Sequence, residues 1–71
     1  MTNTAKLREL IKAKGLKYGY VAERLGLTQY GFSRKLENKS EFKVSEAAKL
    51  SELLQINASE RDDIFFSHRV E

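Results

Sequence analysis

The sequence predicts an all-α fold, a compact bundle of four to five short helices. Three observations carry this expectation. The apolar residues sort into five short stretches of helical spacing. Proline is absent from the 71 residues and glycine occurs only four times, so little interrupts a helix. Leu, Lys, Glu and Ala are all abundant, and each is a good helix former.

The first helix is predicted from about Thr4 to Lys14, with Leu7, Leu10 and Ile11 on one face. Asn3 or Thr4 is suited to cap it, and Gly15 to close it in the left-handed region. Lys12 and Lys14 lie in its last turn, where cations suit the helix dipole. The second covers roughly Tyr18 to Leu25, with Tyr18, Val21, Ala22 and Leu25 at i, i+3, i+4 and i+7 and Gly26 at its end. The third follows Thr28, a good N-cap, and runs to about Glu37. Leu27 and Phe32 stand at the two positions of a hydrophobic staple. The fourth begins near Val44 or Ser45 and ends near Leu54, turning Ala47, Leu50, Leu53 and Leu54 inward. The fifth follows Asn57, which with Glu60 has capping-box spacing. It brings Ile64 and Phe65 to the core, with Phe66 a third candidate.

Length and composition exclude several classes of function. A chain of 71 residues makes one domain, read as 1–71, with little room for an enzyme pocket and its supporting shell. Without cysteine there is no disulfide framework, thiolate metal site or cysteine nucleophile. The single histidine, His68, is expected in an exposed tail rather than at a metal. No apolar run approaches the roughly 18–20 residues that span a bilayer, and the N-terminal residues lack the apolar core of a signal peptide. A small soluble cytoplasmic protein is expected, without cofactor, small-molecule ligand or membrane partner. The carboxylates are scattered, and neither a nucleophile–base pair nor a glycine-rich phosphate loop occurs, so an enzyme is not expected.

Charge is unevenly distributed. Residues 1–43 carry ten Lys/Arg against four Asp/Glu, whereas residues 44–71 carry three against six. A basic N-terminal part beside an acidic C-terminal part suits a polyanion partner on one side.

The spacing between the second and third helices is the most informative feature. Ala22, Gly26 and Phe32 lie at steps of four and six, with Val21, Leu25 and Leu27 as further apolar anchors. Two helices crossing steeply through a tight turn need a small residue at the crossing and a glycine where the chain reverses. Phe32 then plugs the second of them into the core. This is the pattern of a helix-turn-helix, at about residues 18–37, whose second helix enters the DNA major groove.

The stretch Val21-Ala22-Glu23-Arg24-Leu25-Gly26-Leu27-Thr28-Gln29 resembles the lambda-repressor-like family, the Cro and repressor (XRE) type of helix-turn-helix. The resemblance continues through Phe32-Ser33-Arg34-Lys35-Leu36, Lys39-Ser40-Glu41-Phe42 and Ala48-Lys49-Leu50-Ser51-Glu52-Leu53-Leu54 to Ile64-Phe65-Phe66. In these stretches the chain is similar to small phage regulators of Gram-positive bacteria, over about residues 5–66. Two departures stand out. Glu37-Asn38 replaces the Asn-Gly that many relatives have after the recognition helix; Asn38 still suits a left-handed turn, but Glu37 brings a negative charge near an expected phosphate. Lys35 occupies a position that is apolar across much of the broader family. In the phage subgroup it is commonly Lys and the following Leu takes the core role, so the resemblance implies Leu36 in the core.

The resemblance implies a recognition helix at about residues 29–37, with base contacts from Gln29, Tyr30, Ser33 and Arg34. Gln29 matches a position that commonly reads a base, and its amide can pair with adenine N6 and N7. Arg34 suits guanine O6 and N7 or a phosphate. Tyr30 suits a thymine methyl or a phosphate, or else covers the apolar seam. Gly31 costs about 1 kcal/mol relative to Ala in a helix, either to let DNA approach or to avoid a clash with the second helix. Phosphate contacts are expected from Lys17, Tyr18, Lys35, Lys39, Ser40 and Lys43. Phe66 and Val70 are candidate dimer-interface residues, because repressors of this type bind paired half-sites about 34–36 Å apart. The implied function is a sequence-specific transcriptional regulator, Cro-like or repressor-like, that binds a pseudo-palindromic double-stranded DNA operator as a homodimer. The alternatives are the antitoxin of a toxin–antitoxin pair and a protein-interaction module of antirepressor type on the same fold.

Overall fold

The computed structural model describes residues 2–66. Five helices follow one another: α1 (Thr4–Ala13), α2 (Tyr18–Arg24), α3 (Gln29–Leu36), α4 (Val44–Leu54) and α5 (Ala58–Phe65). No strand occurs among the described residues. The radius of gyration is 11.3 Å, close to the roughly 11 Å of a compact chain of this length.

N-cap side chains start three of the helices. The Asn3 carboxamide accepts from Lys6 N–H at 3.2 Å. Thr28 Oγ1 accepts from Gly31 N–H at 3.0 Å. At α5 the capping box is complete: Asn57 Oδ1 accepts from Glu60 N–H at 2.8 Å and Glu60 Oε1 from Asn57 N–H at 3.2 Å. Each bond satisfies a donor that the first helical turn cannot pair internally.

The first four helices end alike. Leu16, Leu27, Lys39 and Ile56 donate back to Ile11, Ala22, Arg34 and Ser51. The residue before each donor has positive φ: Gly15 (71°), Gly26 (74°), Asn38 (60°) and Gln55 (57°). This is the Schellman closure, in which one left-handed residue turns the chain and satisfies the last carbonyls. Glycine takes that conformation without strain at 15 and 26, and Asn38 takes it with little. Gln55 is the unexpected one.

The core collects the faces that helical spacing brings together. Leu7 and Ile11 come from α1, Val21 and Ala22 from α2, with Leu25 directly after it. Phe32 and Leu36 come from α3, Ala47, Leu50 and Leu54 from α4, and Ile64 and Phe65 from α5. Leu10, Leu27 and Leu53 pack half-buried at its rim. Edge-to-face aromatic contacts run from Tyr18 to Phe32 (5.9 Å), Phe32 to Phe42 (6.2 Å) and Phe42 to Phe65 (5.6 Å). They tie α2, α3, the α3–α4 connection and α5 together. Asn3 N–H donates to Ile64 O at 2.7 Å, fastening the start of α1 to the end of α5. Phe66, the third core candidate on α5, is 40% exposed instead. His68 and Val70 lie outside the described residues.

One expectation for α3 is corrected. Lys35 is expected at a phosphate from its sequence position, but it is buried. Its Nζ lies 2.9 Å from Glu46 Oε1 and donates to Glu41 O at 2.9 Å. The physical reason is helical geometry: Phe32, Lys35 and Leu36 stand at i, i+3 and i+4, so Lys35 shares the inward face of α3.

Candidate nucleic-acid interface

The connection from α2 to α3 is short because each of its residues has one task. Leu25 is buried, Gly26 reverses the chain, Leu27 packs half-buried on the core and Thr28 caps α3. Ala22 is buried, and α2 packs on α3. With Phe32 and Leu36 inward, the exposed face of α3 falls to Gln29 and Tyr30 in its first turn.

Gln29 is exposed, with its amide beside Gly19 of α2. Its Oε1 lies 3.4 Å from where a Cβ on Gly19 would stand, so the amide rests on α2 at a position without a side chain. Tyr30 is 72% exposed, which removes the reading in which its ring covers the apolar seam. Ser33 and Arg34 are half-buried. Arg34 Nη2 reaches Lys39 O at 3.5 Å, so the guanidinium leans over the start of the α3–α4 connection. At Gly31 an added Cβ would meet Thr28 Oγ1 at 3.2 Å and nothing from α2. The crowding at this glycine comes from the cap of its own helix.

The residues expected at phosphates fall into four situations. Lys17 and Lys43 are exposed and form no ion pair among the described residues. Lys39 is exposed too, but its ammonium stands 3.7 Å from Glu37. Ser40 is half-buried, and Tyr18 is half-buried with its ring edge-on to Phe32. Lys35 is withdrawn into the interior.

Glu46, at the third position of α4, is the partner that sequence reasoning missed. Its carboxylate accepts from Lys35 Nζ and from Lys43 N–H, each at 2.9 Å. Burial opposes ionisation here. The Lys43 N–H, the Lys35 hydrogen bond and the positive charges of Lys35 and Lys43 outweigh it, and the carboxyl is held below its ordinary value. Arg8 was missed as well. Its Nη2 donates to Leu36 O at 3.2 Å, placing a cation of α1 at the carbonyl end of α3. The Lys35–Glu46 and Arg8–Leu36 contacts join residues 11 and 28 apart in the chain, and no local pattern announces them, whereas the Lys43–Glu46 bond has the spacing of an N-cap and the third helical residue.

Elsewhere, an open groove of about 330 Å³ is lined by Arg24, Leu25, Lys49, Glu52 and Leu53 and includes none of the residues expected at DNA. Among the described residues no cluster of His, Asp or Glu is arranged to hold a metal. No helix among them is long and apolar enough to cross a membrane. Compared with models of known protein families the chain matches none, and no curated protein matches it.

Proposed function

We propose that this protein is a sequence-specific DNA-binding transcriptional regulator of phage or prophage type, Cro-like or repressor-like, acting in the bacterial cytoplasm. In this reading α2 and α3 are a helix-turn-helix, and α3 occupies the major groove of an operator. The observation that supports it best is the orientation of α3. Phe32 and Leu36 are sunk in the core while Gln29 and Tyr30 face solvent at the N-terminal turn, the end of a recognition helix that meets base edges. Exposed Lys17, Lys39 and Lys43 supply charge for phosphates. A homodimer on DNA would set two such helices about 34–36 Å apart.

The test is enrichment of bound duplexes from a randomised pool. The reading expects a shared half-site repeated with two-fold symmetry about one helical turn apart. Recovery of sequences with nothing in common would contradict it.

One observation favours a second reading, a protein-interaction module on the same fold. Two of the expected phosphate lysines, Lys35 and Lys39, already face carboxylates, so the basic surface is thinner than the sequence count. That reading expects no salt-dependent binding to any duplex.

A further inference from the structure

The α3–α4 connection, residues 37–43, is held from inside the molecule although it forms no helix of its own. Lys35 Nζ grips the Glu41 carbonyl at 2.9 Å, and Glu46 Oε1 grips the Lys43 N–H at 2.9 Å. These two backbone groups flank Phe42. The Phe42 ring is wedged between Phe32 and Phe65, with Lys35 Nζ 5.8 Å from its centroid. The ion pair between Lys35 and Glu46 joins the two grips.

Stability alone is a poor reason for such a pair. Withdrawing two charges from water offsets much of their attraction, and apolar residues of similar volume often serve as well. What the pair adds is a single geometry for the connection. Lys39, Ser40 and Lys43, three of the residues expected at phosphates, sit on that connection.

We infer that Lys35 and Glu46 are positioning residues for DNA binding. They hold residues 37–43 in one shape, so that Lys39, Ser40 and Lys43 meet the phosphate backbone as a preformed set. A preformed set binds without the entropy loss of ordering a loop. The inference rests on the DNA-binding reading above. It gives Lys35 an indirect part in phosphate recognition, where its sequence position suggested a direct one.

The experiment compares the wild-type chain with the double variant Lys35→Met/Glu46→Leu, which removes both charges and both backbone grips but keeps apolar volume. Each is titrated with a duplex at several salt concentrations, after a thermal melt shows that it is folded at the assay temperature. The double variant should bind about tenfold more weakly at about 0.1 M salt, with a salt slope lower by roughly one to two, about one for each phosphate that is no longer neutralised. Its Lys43 amide should exchange faster with solvent. Glu46→Gln removes the counter-ion but keeps an oxygen for Lys35 and for the Lys43 N–H, so once a melt shows it folded it should keep near wild-type affinity and slope. If the double variant melts below the assay temperature, the same titrations are run at a lower temperature at which it is folded. A folded variant with wild-type affinity and slope would overturn the inference, as would Glu46→Gln binding as poorly as the double variant. Wild-type protein that binds no duplex would overturn it too, through failure of the DNA-binding reading. The Lys43 exchange rate would then still report whether the pair orders the connection.

Discussion

The Lys35 ammonium and the Glu46 carboxylate meet at 2.9 Å with side chains only 11% and 9% exposed. The contact joins the last turn of α3 to the first turn of α4. Glu46→Ala leaves a buried ammonium without its counter-ion and the Lys43 N–H without its acceptor. The expected loss is about 3–5 kcal/mol, measured by urea denaturation at neutral pH. A loss below about 1 kcal/mol would mean that water reaches the Lys35 site freely.

The same carboxylate gives stability a dependence on acid. Because the Glu46 carboxyl is held below its ordinary value of 4.5 in the folded chain, its contribution is complete above that value. It is lost as pH falls through the lower, folded value. Urea melts from neutral to acidic pH should show stability falling in that window, with a shallower fall in Glu46→Gln. Identical profiles for the two proteins would assign the acid response to other carboxylates.

Helix ends offer a paired prediction. Gln55 holds a left-handed conformation at φ 57°, which a side chain disfavours, whereas Gly26 holds the same kind at 74°. Gln55→Gly should therefore stabilise the chain by about 0.5–1 kcal/mol, and Gly26→Ala should destabilise it by about 1–2 kcal/mol. Thermal melts of the two variants should move in opposite directions.

Two substitutions separate base reading from phosphate binding. Gln29→Ala should cost about 1–3 kcal/mol on the cognate duplex and relax preference at one base pair. Lys39→Ala should weaken all duplexes about equally and lower the salt slope by roughly one. A Gln29→Ala protein that loses as much affinity for random DNA as for cognate DNA would show that Gln29 does not read a base.

Much of the architecture is legible in the sequence because its signals are local. Helix bounds follow from apolar spacing, and the caps at Thr28 and Asn57 from side chains three residues before the N–H they satisfy. The turns at Gly15, Gly26 and Asn38 follow from residue types that accept positive φ. Gln55 takes the same conformation without any such marker, because closure of α4 imposes it. At Lys35 two sequence signals conflict: residue type points to solvent, whereas the i, i+3, i+4 relation with Phe32 and Leu36 points inward. Geometry prevails because Glu46, eleven residues later and on the next helix, is folded against it. The part of Arg8 at the end of α3 likewise depends on a contact 28 residues away. Charges that act across elements become visible only when the elements are assembled.

The most direct test is a binding titration at several salt concentrations. It compares the duplex upstream of the protein's own gene with a random duplex of equal length. Tighter binding upstream, with a steep salt dependence on both duplexes, is the result expected of an operator-binding regulator. No binding to either duplex at low salt would contradict the account and turn the search to protein partners.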